Sequence, residues 1–463
     1  MTLQFYNSLS KRKEPFSTLE AGHVRMYTCG PTVYNFAHVG NFRAYLFEDV
    51  LRRTLEYAGY QMTQVMNLTD VDDKTIRGSR QKGVPLKTFT QPFVDAFFAD
   101  LKALNVEPAE VYPAATDHVP EMIAIIEKLM AKGLAYQSDD KSVYFKVAAF
   151  PEYGKLAHLD MTGLKAGARV AQDEYEKESV GDFALWKAWD KADGDVGWES
   201  PWGRGRPGWH IECSAMATAI LGPQMDIHCG GVDNIFPHHE AEIAQSECCS
   251  GTRFVRYWLH CAHLMVDGQK MAKSLGNFYT LRDLIAKGWT GREVRYALIN
   301  VHYRLPLNFT FEGLAAARSA LQRIDEWQDR LKKLSASVQQ ASDFSLPAQT
   351  KFEEALDDDL NISGALGHLF DVIRETNRAI DENTLGPQDA SALFQWWNRI
   401  NSVLGIGHEE ASIPPEIQAL IEERRKAREA KDWKKSDELR RQIEEKGWIV
   451  KDMKEGQKVT KAP

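Results

Sequence analysis

The sequence has no apolar run long enough to span a bilayer, and Met1 to Ser10 lacks the basic and apolar regions of an export signal. A cytoplasmic protein with no membrane partner is the expectation. Cysteine is scarce: six in 463 residues, at 29, 213, 229, 248, 249 and 261. They are too scattered for a disulfide framework, and no CxxC pair is present. There is no Gly-x4-Gly-Lys-Ser/Thr, so no P-loop. Asn67-Leu-Thr-Asp-Val-Asp-Asp-Lys74 lacks the glycine and distal glutamate of a calcium loop and reads as a turn with a helix cap. Internal repeats and low-complexity tracts are missing too. A net charge of −8 announces no global nucleic-acid binder, although 416–463 carries 14 Lys+Arg against 11 Asp+Glu. A mildly basic tail on an acidic body permits a polyanion partner without requiring one.

What is present is ordinary globular sequence, 43% hydrophobic and 26% charged, long enough for two to four domains. Its centre is Met26-Tyr-Thr-Cys-Gly-Pro-Thr-Val-Tyr-Asn-Phe-Ala-His-Val-Gly-Asn41. Upstream, Val24, Met26 and Thr28 alternate with Arg25 and Tyr27, as in a strand. Downstream, Phe47, Val50, Leu51, Leu55 and Ala58 keep helical spacing until Gly59. In a doubly wound α/β sheet such a turn lies where ligands bind, and the helix start favours phosphate.

The fold class read from this pattern is α/β, a Rossmann-type doubly wound parallel sheet. Its halves fall at 1–110 and 207–250, with Tyr60–Leu68 as a second strand and an insertion at 111–206. Within the insertion we expect a helix near Pro120–Lys132, a strand pair near Tyr136–Val147, and a loop over 193–208 from its glycine and proline density. A lysine-rich loop region follows at 251–309. Helices near Leu314–Leu334, Thr350–Leu356, Leu366–Ile380 and Ala392–Leu404 make an α-helical bundle over 310–410, with Trp396 and Trp397 as core. A small C-terminal module occupies 411–463: a basic helix Glu416–Ala430, a second helix to Lys446 and a strand from Gly447.

Three sets of residues carry chemistry. His238 and Glu242 lie four apart on one face of a helix that Pro237 would start, while Cys29 and Cys213 offer thiols, the latter in a Gly-rich loop. Together they would suit tetrahedral zinc, but without a compact Cys pair the spacing points first to buried thiols and a solvated helix face. His38 and Asn41, around Gly40, open the first long helix and suit a nucleotide or a helix cap. Lys270-Met-Ala-Lys-Ser274 is a short cationic loop able to neutralise pyrophosphate, or a solvated turn. Between them, Asp226-Ile-His-Cys-Gly-Gly-Val-Asp233 offers a Gly-Gly turn and, in Asp233, a partner for ribose hydroxyls or a turn residue.

In order and spacing these strings resemble the cysteinyl-tRNA synthetase family of class I aminoacyl-tRNA synthetases. The resemblance runs nearly end to end and includes Gly208-Trp-His-Ile-Glu-Cys-Ser214 and Phe236-Pro-His-His-Glu240. It implies a zinc ion on Cys29, Cys213, His238 and Glu242. It implies ATP, with Mg2+, on His38, Gly40, Asn41, Asp233, Lys270 and Lys273, and L-cysteine against Thr69 and Trp209. It also implies tRNA(Cys) as partner of the helical and C-terminal parts, and a monomer. Asn41 stands where class I enzymes often carry His, Ala272 where Ser is usual, Cys229 where a third glycine is expected and Ala114 where arginine is common. The tail also lacks the family's Gly-Thr-x-Trp. Two other readings are a related ligase joining cysteine to a small amino-sugar, which would not need 416–463, and a zinc-stabilised RNA-binding protein without catalysis.

Overall fold

Val24 and Met26 turn into the core while His23 and Arg25 stay half-exposed, so the alternation becomes the strand His23–Thr28 (β1). The computed structural model describes residues 3–160, 169–170, 181–272, 275–408, 414–453 and 456–461. Gln61–Met66 (β2), Met225–Gly231 (β3) and Val255–Cys261 (β4) complete a parallel sheet in the order β4-β3-β1-β2. The sheet therefore runs past residue 250, because β4 pairs with β3 from Met225–Val255 to Gly231–Cys261. At the other edge, Met66 N–H donates to Val111 O and Leu68 N–H to Pro113 O, so the chain stays with the sheet beyond 110.

The helix Val39–Tyr57 (α1) begins with a reciprocal cap: His38 Nδ1 accepts from Asn41 N–H at 3.2 Å, and Asn41 Oδ1 accepts from His38 N–H at 3.1 Å. It stops at Gly59, whose φ of +91° suits a residue without Cβ. Val119–Ala131 (α2) packs against Trp209–Leu221 (α3) and Glu240–Ser250 (α4). Four short strands, Ala135–Gln137, Val143–Phe145, Asp182–Ala188 and Gly205–Pro207, form an antiparallel sheet in the insertion, which Arg169–Val170 joins in parallel.

Three local expectations change. Gly205–Pro207 is a strand, not loop; a Cβ on Gly208 would stand 2.1 Å from Ala184 O, so the glycines permit close strand approach. Cys213 accordingly sits in the first turns of α3, which starts directly after Gly208 in extended conformation, rather than in a loop. Pro237 lies in a π-type turn, Ile235–His239, before the regular helix begins at Glu240.

The helices Phe311–Ser335, Pro347–Asp357, Ile362–Asp381 and Pro387–Leu404 enclose Trp327, whose indole N–H donates to Thr376 Oγ1 at 2.9 Å and whose ring meets Trp397 edge-on. Buried Arg295 joins this region to α1, bonding Leu404 O at 2.7 Å and Asp49 at 2.6 Å. The last module, Pro415–Glu429, Trp433–Glu445 and the strands Trp448–Met453 and Gly456–Lys461, has its own small core of Ile417, Ile443, Trp448 and Val450. No helix among the described residues is long and apolar enough to cross a membrane.

One buried group works against the fold. Glu48 on α1 is fully buried, and neither carboxylate oxygen has a hydrogen-bond partner. Burial pushes its pKa well above the usual carboxylate range. The folded chain therefore binds a proton that the unfolded chain has lost, and stability falls as pH rises from about 4.3 toward the folded value. Glu48→Met should stabilise the protein by about 1–3 kcal/mol, with a larger gain in Tm at pH 7 than at pH 5. An equal or lower Tm at pH 7 would contradict this.

Candidate active site

Cys29 follows the end of β1, held by its N–H to Cys229 O at 3.4 Å. The next residue must be glycine, since a Cβ there would lie 1.8 Å from Asn67 O; its N–H instead meets Asn67 Oδ1 at 2.9 Å. This close approach draws the loop Asn67–Lys74 over the sheet end. Cys213 comes from α3, His238 from the turn after β3, and Glu242 from α4. Their donor atoms all lie within 4.8 Å of one another. Cys29, half-buried as a residue, thus meets three buried partners.

The electrostatics of the four donors suit a cation. The two thiols are driven apart: hydrogen bonding with the neighbouring Cys213 and burial hold the Cys29 thiol well up, while hydrogen bonds from Cys29 and Tyr27 hold Cys213 below the usual thiol range. Burial raises Glu242, and its Oε1 lies 3.1 Å from His238 Nε2 without hydrogen-bond geometry. Two sulfurs, an imidazole nitrogen and a carboxylate oxygen are a mixed soft and borderline donor set of the kind that can hold a tetrahedral divalent cation.

A second set overlaps the first: Cys29, His228, His239 and Glu242 also bring their donors within 4.8 Å. His228 Nε2 meets Glu242 Oε2 at 3.0 Å, and His239 Nε2 meets Cys29 Sγ at 3.3 Å. His239 continues to His260 at 2.8 Å and His260 to Ser8 at 2.7 Å, while His210 touches His238 at 3.1 Å. Burial pushes His210 and His239 well below their usual range and His260 down to about 3, so these rings are neutral. Sequence reasoning missed this histidine cluster. The available signal was His228 inside an apolar strand, opposite Trp258 in register.

Above the donors is a cavity of about 350 Å³ lined by Thr69, Trp209, Cys213 and His238. Trp209 stacks on the His238 ring at 4.3 Å. Beside it a larger cavity of about 610 Å³ is lined by Gly40, Lys270 and Met271. Both share Cys29, His38, Asn41 and Asp233, so a molecule in one abuts a molecule in the other. A Cβ on Gly40 would crowd the His38 ring and Met271 Cε. The lysine loop leans on α1: Val39 N–H donates to Tyr279 O, and the His38 ring meets Phe278 at 5.0 Å. Asn277 braces the loop by accepting from Ala272 N–H and donating to Lys270 O. Lys273 and Ser274 lie outside the described residues. The structure thus brings together every other site residue read from the sequence. Cys229 turns its side chain away from the cavities, fully buried in the core cluster that holds Ile227 and Cys261.

Three family profiles divide the chain. Residues 15–319 match the class I (C) tRNA synthetase catalytic domain, 351–408 the DALR domain, and 410–459 the cysteinyl-tRNA ligase anticodon binding domain. The cysteine–tRNA ligase of Protochlamydia amoebophila is 50% identical over 99% of this chain and 98% of its own. That of Chlamydia muridarum is 49% identical over the whole of both. Among solved structures, Mycobacterium tuberculosis methionyl-tRNA synthetase in complex with methionyl-adenylate shares the fold, with a TM-score of 0.61 and 15% identity over 82% of this chain and 89% of that one. A catalytic-domain match over most of the chain and half-identical relatives matched almost end to end leave one conclusion: the chain belongs to the cysteinyl-tRNA synthetase family of class I aminoacyl-tRNA synthetases.

Proposed function

We propose that this chain is a cysteine–tRNA ligase that joins L-cysteine to ATP as cysteinyl-adenylate, then passes the cysteinyl group to the 3′ end of tRNA(Cys), using one zinc ion on Cys29, Cys213, His238 and Glu242. The observation that carries it is the convergence of those four donors at the cavity that abuts the nucleotide-sized one. The activity fits the family and its half-identical relatives.

When bound, zinc supplies a soft contact to the substrate thiolate that a serine hydroxyl cannot match. A hydroxyl or methylene read by an apolar pocket discriminates by only ~1–3 kcal/mol, so a thiolate contact makes an editing site unnecessary. Thr69 and Trp209 hold the amino acid with its carboxylate toward the nucleotide. His38, Gly40 and Asn41 at the start of α1 take the phosphates, with Mg2+ carried by ATP, and Asp233 takes ribose hydroxyls. The cysteine carboxylate attacks the α-phosphorus and pyrophosphate leaves, its charge met by Lys270 and Lys273. The terminal ribose hydroxyl of the tRNA then attacks the carbonyl and AMP leaves. No covalent enzyme intermediate is required.

In this reading 1–110, 207–250 and β4 make the catalytic domain, 111–206 the insertion, the remainder of 251–309 the lysine-loop region, and 310–410 and 411–463 the tRNA-binding parts of a cytoplasmic monomer. Exposed Trp433, under the Arg428 guanidinium, suits a stacked base. Removing 411–463 should leave cysteine-dependent ATP–pyrophosphate exchange intact and cut tRNA charging severely, because the module has its own core. Undiminished charging would overturn the assignment of the tail. Absence of exchange in the full chain would overturn the enzyme reading.

A further inference from the structure

Outside both active-site cavities, α2, α3 and α4 enclose a groove of about 530 Å³. Ser246, on α4, faces it while only 1% exposed, and its hydroxyl oxygen has no hydrogen-bond partner. Buried hydroxyls are normally satisfied, so this one points to a guest that carries a polar group. Cys249, one turn along, presents a half-buried free thiol to the same groove. Its neighbour Cys248 is not among the groove's walls, and burial together with Glu247 pushes that thiol up to about 11. Cys248 is therefore almost wholly protonated near neutral pH and a poor nucleophile. On the α2 wall Glu121 and Lys128 stand two turns apart, one of each charge, with Glu121 also facing His118 at 3.8 Å. An acid and a base on one wall of the groove that holds the thiol match the ammonium and carboxylate of a zwitterion.

We propose that Cys249 is a site of thiol–disulfide exchange for a small zwitterionic disulfide of the amino-acid type, with Lys128 on its carboxylate, Glu121 on its ammonium and Ser246 as a further contact. The Cys249 thiolate attacks one sulfur of the disulfide. A Cys249–S–S–R bond forms, the old S–S bond breaks, and R–S⁻ leaves and takes a proton from water. The incoming disulfide is itself the oxidant, so nothing else is consumed. The site rests on the groove's own residues and not on the ligase reading. If that reading holds, the disulfide of the enzyme's own substrate is the natural guest. The adduct would lie against the two helices that carry Cys213 and Glu242.

The test treats the full chain with L-cystine, or with cystamine, which lacks the carboxylates, and follows adducts by intact mass and peptide mapping. Cystine should place one cysteinyl group on Cys249, reversibly by dithiothreitol. Cys248→Ser should leave that adduct in place, and Cys249→Ser should abolish it. Lys128→Ala should slow the cystine reaction severalfold while leaving the cystamine rate close to wild type. No adduct at Cys249, or a Lys128→Ala change that slows both disulfides equally or neither, would overturn the proposal. Circular dichroism of each variant separates a lost site from a lost fold.

Discussion

Cys213→Ser is expected to empty the metal site and to raise the KM for cysteine far more than the KM for ATP. Even groups that only orient a metal's ligands cost about 10–100-fold in affinity when removed, so loss of a direct thiolate ligand should exceed about 100-fold. The serine hydroxyl occupies nearly the same space, yet it stays protonated where the thiol ionises. In the native site, hydrogen bonds from Cys29 and Tyr27 already favour the Cys213 thiolate. The hydroxyl also trades a soft donor for a hard one. The nucleotide cavity is lined by Gly40, Asn41 and Lys270 and does not include Cys213, so ATP binding should be nearly untouched. Metal analysis of the purified variant, with exchange kinetics at varied cysteine and varied ATP, decides the matter. Full zinc occupancy with unchanged cysteine KM would mean that another donor holds the ion. The His228–His239 set that shares Cys29 and Glu242 is then the first alternative.

How much of this was legible in the sequence depends on the range over which each feature is encoded. β1 and α1 were readable because their periods, two and 3.6, are local, and Gly59 marks the stop directly. The helices after 310 were readable for the same reason, and Trp396 and Trp397 are indeed core. Glycine density misled at 205–208, where it serves strand contact against Ala184 rather than a turn, and it hid the helical setting of Cys213. The end of the sheet was misjudged because β4 follows an ordinary loop and declares its membership only by pairing with β3. Ligand convergence is longer in range still: Cys29 and Glu242 are more than two hundred positions apart, and no spacing rule joins them. The residue types only suggested that set and the resemblance singled it out, whereas His210, His228, His239 and His260, which come together from separate elements, went unread.

His38 has two jobs that one pair of substitutions separates. As cap of α1 it accepts from Asn41 N–H, and it also lines both cavities where the phosphates would lie. His38→Ala removes both functions. It should cost about 1 kcal/mol of stability through the lost cap. It should also cost roughly 10²–10³-fold in the rate of adenylate formation, the usual loss when one donor to a developing charge is deleted. His38→Asn keeps a good capping side chain but shortens its reach and removes the ring that meets Phe278. Stability should therefore return while the exchange rate stays low, with the deficit in kcat rather than in the KM for cysteine, because a transition-state contact is what is missing. Thermal unfolding and ATP–pyrophosphate exchange on the two variants give both numbers. Recovery of rate together with stability in His38→Asn would reduce His38 to a helix cap and leave the phosphate chemistry to Asn41 and the lysines.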